Sequence, residues 1–272
     1  MAQSFAHGNY SHTQKKARTG GGRTARDQRR RTLSQNFVVD PEVVTRLVRA
    51  AGPHDLVLEP GAGEGVLTRA LADSCGQVVG YEVDPLLAGK LAARARGDAR
   101  IRIVRGDFLS ARAPREPFAV VGNIPYSITS KIVDWCLRAP TLTSATLVTQ
   151  LEYARKRTGD FGRWSMLTVQ TWPWYSWELL GHVDREAFRP VPAVDSAILR
   201  IERRAQAPDL PGYQDFVDYG FTGLGGSLHA TMRLRHPAAP VDAAFAAAGV
   251  ARDTVVAHVH PDRWPILFEH LG

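Results

Sequence analysis

Apolar residues recur along the chain with two different periods, and the two alternate. Val43, Val44, Leu47 and Val48 fall three and four positions apart, which marks one face of a helix. Asp40 stands where a cap belongs, Pro41 in the first turn, and Gly52-Pro53 where the helix must stop. Residues 55–58, Asp-Leu-Val-Leu, are instead a short run without alternation, as expected of a parallel strand covered on both faces. The same succession predicts a helix over 66–72, a strand over 77–81 and a helix opened by Asp84-Pro85. Strands over 101–104 and 118–122, a helix over 129–137 and a strand over 145–149 follow. Strands alternating with helices predict an α/β domain with a mainly parallel sheet.

Beyond residue 150 the pattern loosens. Residues 155–164 are basic and broken by Gly159 and Gly162, so an exposed loop able to grip phosphates is expected there. Trp172, Trp174, Tyr175 and Trp177 are expected on both faces of a strand as packing residues. Phe188-Arg189-Pro190-Val191-Pro192 reads as a stiff loop presenting an aromatic ring, and residues 194–204 alternate as a strand does. From residue 210 onward, short helices over 214–221, 241–248 and 264–271 predict a small helical appendage. The expected divisions are residues 1–31, 32–204 and 205–272.

Composition adds one asymmetry. The chain has 272 residues and is 44% hydrophobic, enough for one large domain and an appendage. Residues 1–31 hold eight Lys and Arg against the single acid Asp27, a net of +7, and the whole chain is also +7, so the remainder is balanced. With Gly20-Gly21-Gly22 and few apolar residues, this segment is expected to be a disordered basic arm suited to a polyphosphate partner. No apolar run is long enough for a membrane span and no signal-peptide pattern opens the chain, so a cytoplasmic protein without a membrane partner is expected. Cys75 and Cys136 lack metal-ligand spacing, so reduced thiols and no metal are expected.

The candidate chemistry sits where predicted strands end, at the edge where open α/β sheets hold ligands. The first strand runs into Glu59-Pro60-Gly61-Ala62-Gly63-Glu64-Gly65. Glycines at alternate positions let the backbone turn tightly against a ligand at the next helix's N-terminus. Val66 stands where the dinucleotide pattern requires its third glycine, so the loop suits a ligand ending in an amino acid and a ribose. Glu82 closes the second strand, 23 residues after Glu59, where a carboxylate takes ribose hydroxyls. Asp107, within Gly106-Asp107-Phe108, closes the third, and three acids at successive strand ends define a pocket. The fourth strand ends in Asn123-Ile124-Pro125-Tyr126. The Asn123 amide oxygen and the Ile124 carbonyl can accept two N–H bonds, Pro125 ends the ladder, and Tyr126 supplies a stacking face. An adenine N6 amine fits that set.

Gln35-Asn36-Phe37, Glu59 to Gly65, Glu82, Gly106 to Phe108, Asn123 to Tyr126 and Phe188 to Ser196 occur in an order that resembles the S-adenosylmethionine-dependent rRNA adenine-N6 methyltransferases. The resemblance covers residues 32–204 and implies a Rossmann-like class I methyltransferase domain with a small helical RNA-binding domain after it. It implies that Gln35 and Asn36 help hold S-adenosylmethionine, with Glu59, Gly61, Gly63, Gly65, Phe108 and Asn123 around it. By the same resemblance Glu82 binds its ribose, Asp107 contacts its adenine, and Tyr126 and Phe188 sandwich the target base. Ile124, Ser127 and the Val194-Asp195-Ser196 run are similar to the macrolide-resistance (Erm) branch, which acts on 23S rRNA, implying methylation before or during large-subunit assembly by a monomer. A small-subunit rRNA adenine dimethylase and a non-catalytic RNA-binding paralogue are the alternatives.

Overall fold

The structure, a computed structural model, describes residues 36–272. The expected basic arm and Gln35 lie outside the described residues. Strands β1 (Phe37–Val38), β2 (Leu56–Pro60), β3 (Gln77–Glu82), β4 (Ile101–Arg105), β5 (Phe118–Asn123) and β6 (Leu142–Gln150) occupy the first part of the described chain. Helices α1 (Pro41–Ala51), α2 (Val66–Ala72), α3 (Pro85–Arg94) and α4 (Thr129–Arg138) lie between them. Helices α5 (Leu151–Thr158) and α6 (Met166–Thr171) precede strands β7 (Tyr175–Val183), β8 (Phe188–Arg189) and β9 (Ser196–Arg203). Helices α7 (Tyr213–Phe221), α8 (Leu228–Met232), α9 (Ala238–Ala248) and α10 (Arg263–Leu271) complete the chain.

Seven strands form one sheet in the order β4-β3-β2-β5-β6-β9-β7. Strands β2 to β6 are parallel, and β9 runs antiparallel between β6 and β7. The two-residue alternation of β5 divides the core. Ala119 and Val121 join Leu47 of α1 and Leu71 of α2 on one side, and Phe118 and Val120 join Ile132 and Val133 of α4 on the other. Asp40 caps α1, its carboxylate accepting the Glu42 N–H at 2.9 Å, and Asp84 caps α3 in the same way.

A third core gathers Tyr213, Leu228, Phe245 and Trp264 from the last four helices. It also takes Val169 of α6, with Trp164 and Trp174 packed against it. The core of the last four helices thus also packs against α6.

Three expectations are corrected. Residues 155–158 are helical, because Leu151 and Ala154 turn toward the main core while Gly159, in the left-handed conformation, provides the C-cap. The basic residues Arg155, Lys156 and Arg157 fall in the last turn, where they match the helix dipole. Trp172 and Trp174 precede β7, and Tyr175 and Trp177 share its inner face, so the aromatic run does not straddle one strand. Phe188 is not presented by a loop. Its backbone pairs with Val38 in a small β1–β8 ribbon, and its ring is fully buried in the core with Val183 and Ile198.

Candidate functional site

Strands β2, β3 and β5 and the turn after β4 end together, and two cavities open there. One, of about 460 Å³, lies between α1 and α2 and is bounded by Glu59, Gly61, Gly63 and Asn123; the other, of about 330 Å³, is lined by Glu82, Asp107, Phe108, Pro125 and Ser127. Gly61 borders both, so they meet over the glycine loop.

That loop is shaped by what its glycines touch. Gly63 has φ of 56°, and a Cβ there would stand 2.8 Å from Cε1 of Phe37. The Gly61 and Ala62 N–H groups both donate to the Tyr81 carbonyl at 2.9 Å, which straps the loop to the end of β3. The Gly63 N–H donates to Oε2 of Glu82 at 2.8 Å, and the Asp84 N–H donates to Oε1 at 2.8 Å. Glu82, 1% exposed, is therefore held by backbone on each oxygen. Asp107 is exposed and N-caps the short turn Phe108–Ser110, its Oδ1 accepting the Leu109 N–H at 2.9 Å. The Phe108 ring is buried edge-on to Tyr81, so its side chain braces the cavity wall.

Glu59 belongs to β2, which runs two residues further than expected, and it is buried. Burial pushes its carboxyl up to about 8; the nearby Glu82 charge adds to this, while the Thr68 hydroxyl, donating to Oε2 at 2.6 Å, opposes it. The Glu82 and Asp107 carboxyl groups suit sugar hydroxyls, and the Glu59 carboxyl, kept protonated by its burial, adds a hydrogen-bonding group beside the glycine loop. On this donor set the residues present fit S-adenosylmethionine.

Asn123, the last residue of β5, is half-buried. Its Nδ2 donates to the Asn36 carbonyl at 2.6 Å. A carbonyl only accepts, so the amide nitrogen must face Asn36 and Oδ1 is left as an acceptor. Ile124 is 2% exposed, and its packing fixes the backbone carrying its carbonyl. Tyr126 opens the turn Tyr126–Ile128, half-buried, with its hydroxyl 2.5 Å from Oγ of Ser196. Burial raises the Tyr126 phenol pKa; the Ser196 hydrogen bond opposes this and the Asp195 charge adds to it, so the ring stays neutral.

Of the residues singled out in the sequence, Glu59, Gly61, Gly63, Glu82, Asp107, Phe108, Asn123 and Pro125 line the two cavities; Asn36 is tied to Asn123 through its carbonyl, and Ile124 and Tyr126 flank Pro125 without lining either cavity. Gly65 lies behind the cavities, where a Cβ would meet Leu91. Phe188 is in the core. Reading single motifs missed Thr68 as a partner of Glu59 and the Asn36 carbonyl as an anchor. Neither carries a sequence signal, because the first is an ordinary helix residue and the second is a backbone atom. His182, Asp184 and Asp195 bring ligand atoms within 4.8 Å of one another, but they sit at the surface outside both cavities.

Residues 26–271 match the family model for ribosomal RNA adenine dimethylase. The chain belongs to that family. It is 59% identical over 252 residues to an rRNA adenine N-6-methyltransferase of Streptomyces fradiae, covering 89% of this chain and 78% of the relative. It is 40% identical over 222 residues to the mycinamicin-resistance protein MyrB of Micromonospora griseorubida, covering 79% and 70%. Among solved structures it resembles the 23S rRNA methyltransferase ErmE, with a TM-score of 0.83 and 52% identity over 87% of this chain and 99% of that one. The family member described here is a methyltransferase of the Rossmann-like class I fold.

Proposed function

We propose that the protein transfers methyl from S-adenosylmethionine to N6 of one unpaired adenine in 23S rRNA before or during large-subunit assembly, and so confers macrolide resistance. The observation that carries the reading is the fixed orientation of Asn123, whose amide nitrogen is tied to Asn36 and whose oxygen is thereby turned out as an acceptor. When bound, S-adenosylmethionine supplies an electrophilic methyl group. Glu59, Gly61 and Gly63 are the residues that would hold its amino-acid end, and Glu82 and Asp107 its nucleoside.

Asn123 Oδ1 and the Ile124 carbonyl accept the two N6–H bonds of the target adenine. That draws the N6 lone pair out of the ring and aims it, and no strong base is needed. Most of the acceleration then comes from alignment, for which well-oriented pairs are worth roughly 7–11 kcal/mol. An adenine in a helix cannot reach the site, so the base must be flipped or unpaired at a cost of a few kcal/mol, which stacking on Tyr126 offsets. The buried Phe188 backs the wall that carries Asn36, through the β1–β8 pairing. Among the described residues no helix is long and apolar enough to cross a membrane, and the reading is of a cytoplasmic monomer.

The test gives the purified protein and methyl-labelled cofactor either naked 23S rRNA or small ribosomal subunits, then maps the label. Label on one adenine of 23S rRNA is expected. Label confined to adjacent adenines of the small subunit would overturn the substrate assignment.

A further inference from the structure

The Tyr126 ring stands on a single short turn and is half-buried, yet a stacking plate must hold one orientation. Pro125 and Ile128 fix the backbone of that turn, the Ile128 N–H donating to the Pro125 carbonyl at 3.1 Å, but they do not fix the ring. An aromatic side chain free at one end samples several rotamers. The other end of Tyr126 reaches across the sheet edge to a residue 70 positions later, where its hydroxyl meets Oγ of Ser196.

Ser196 is unusually well anchored. It is fully buried and opens β9, pairing with Gln150 of β6 on one side and Val183 of β7 on the other, so it cannot shift without disturbing two ladders. Its neighbour Asp195 is fixed as well. The Asp195 carbonyl accepts the Leu151 N–H at 3.0 Å, and its carboxylate accepts the Arg185 N–H at 3.3 Å and lies 3.3 Å from Nε2 of His182. The Ser196 hydroxyl therefore offers Tyr126 a point fixed by the sheet itself.

We infer that Ser196 is a positioning residue for base recognition, its buried hydroxyl fixing the Tyr126 ring in the plane against which the target adenine stacks. The inference rests on the stacking role proposed for Tyr126. Ser196 touches neither cavity, so its effect is confined to RNA handling and leaves cofactor binding alone. A serine that only tied the turn to the sheet would contribute to folding and not to the affinity for the flipped base.

The experiment compares Ser196→Ala, Tyr126→Phe, the double variant and Tyr126→Ala in the full-length protein. The readouts are methyl transfer to naked 23S rRNA at saturating cofactor, calorimetric titration with S-adenosylhomocysteine, and Tm. Ser196→Ala and Tyr126→Phe should each raise the KM for RNA by roughly five- to ten-fold, the size of one neutral hydrogen bond, with affinity for the cofactor product unchanged. The double variant should be no worse than either single one, because both remove the same bond. Multiplying effects in the double variant, or wild-type KM in both single variants, would overturn the role of Ser196. Tyr126→Phe keeps the ring and leaves the buried serine in place, so it gives the answer even if Ser196→Ala folds poorly. Full activity in Tyr126→Ala would instead remove the stacking reading itself, a result distinguishable from the loss of Ser196's role alone.

Discussion

Asn123 illustrates how much a single residue type can disclose and where that stops. Its place at a strand end before Pro125 makes two acceptors and a ring legible in four consecutive residues. The bond to the Asn36 carbonyl spans 87 positions and ends on a backbone atom, so no motif could announce it. Asn123→Ala removes the oriented oxygen while leaving the glycine loop, Glu82 and Asp107 in place. Transfer should be almost abolished, with affinity for S-adenosylhomocysteine within a few-fold of the parent by calorimetry; retention of most turnover would refute the two-acceptor arrangement. Glu59 was legible as a ligand candidate but not as a buried group, because its burial comes from β3 and α2 packing around it. Its carboxyl ionises near 4.5 in an unfolded chain and near 8 in the fold, so between those values the unfolded state is charged while the folded one stays protonated. Stability is therefore lost as pH rises through that window. Glu59→Gln removes the penalty and can still accept from Thr68, so its Tm advantage over the parent should be absent near pH 4.5 and largest near pH 8. An advantage equal at both pH values would mean that Glu59 does not titrate in this window.

Elements with a clear period were legible almost to the residue, as α1 and α2 show: Asp40, Pro41 and Gly52 delimit one, and Val66–Ala72 is the other. The failures have a common cause. Strand β1 has two residues, too few to display any period, and exists because Phe188 and Arg189 arrive from far along the chain to pair with it. Helix α5 hides its short apolar face beneath three consecutive basic residues. Yet β1 organises the site: it carries Phe37 against Gly63 and follows the carbonyl that orients Asn123. Gly63→Ala tests this arrangement. It forces a left-handed side chain, at about 1–2 kcal/mol, and drives a methyl into the Phe37 ring. Both the Tm and the affinity for S-adenosylhomocysteine should fall. Adding Phe37→Leu should restore only part of each, since the backbone strain remains; complete recovery would show that the clash with the ring alone set the cost.

Charge is distributed so that recognition and attraction are separable. Residues 32–272 are balanced and hold the catalytic fold, whereas residues 1–31 carry the net +7. The site must find one base, which takes geometry, but approach to a polyphosphate needs only cations, whose effect does not depend on sequence. Deleting residues 1–31 should leave the Tm and the affinity for S-adenosylhomocysteine intact, because Glu59, the glycine loop, Glu82 and Asp107, which line the two cavities among the described residues, all belong to the folded body. It should weaken binding to naked 23S rRNA and flatten the plot of log K against log salt by roughly 0.7–0.9 for each phosphate that is no longer neutralised. At high salt the truncated and full-length proteins should converge, since screening removes what the arm supplies. Binding isotherms over a salt series decide the matter: an unchanged slope would mean that RNA is held by the folded body alone, with the last turn of α5 and its Arg155, Lys156 and Arg157 as the first cations to replace.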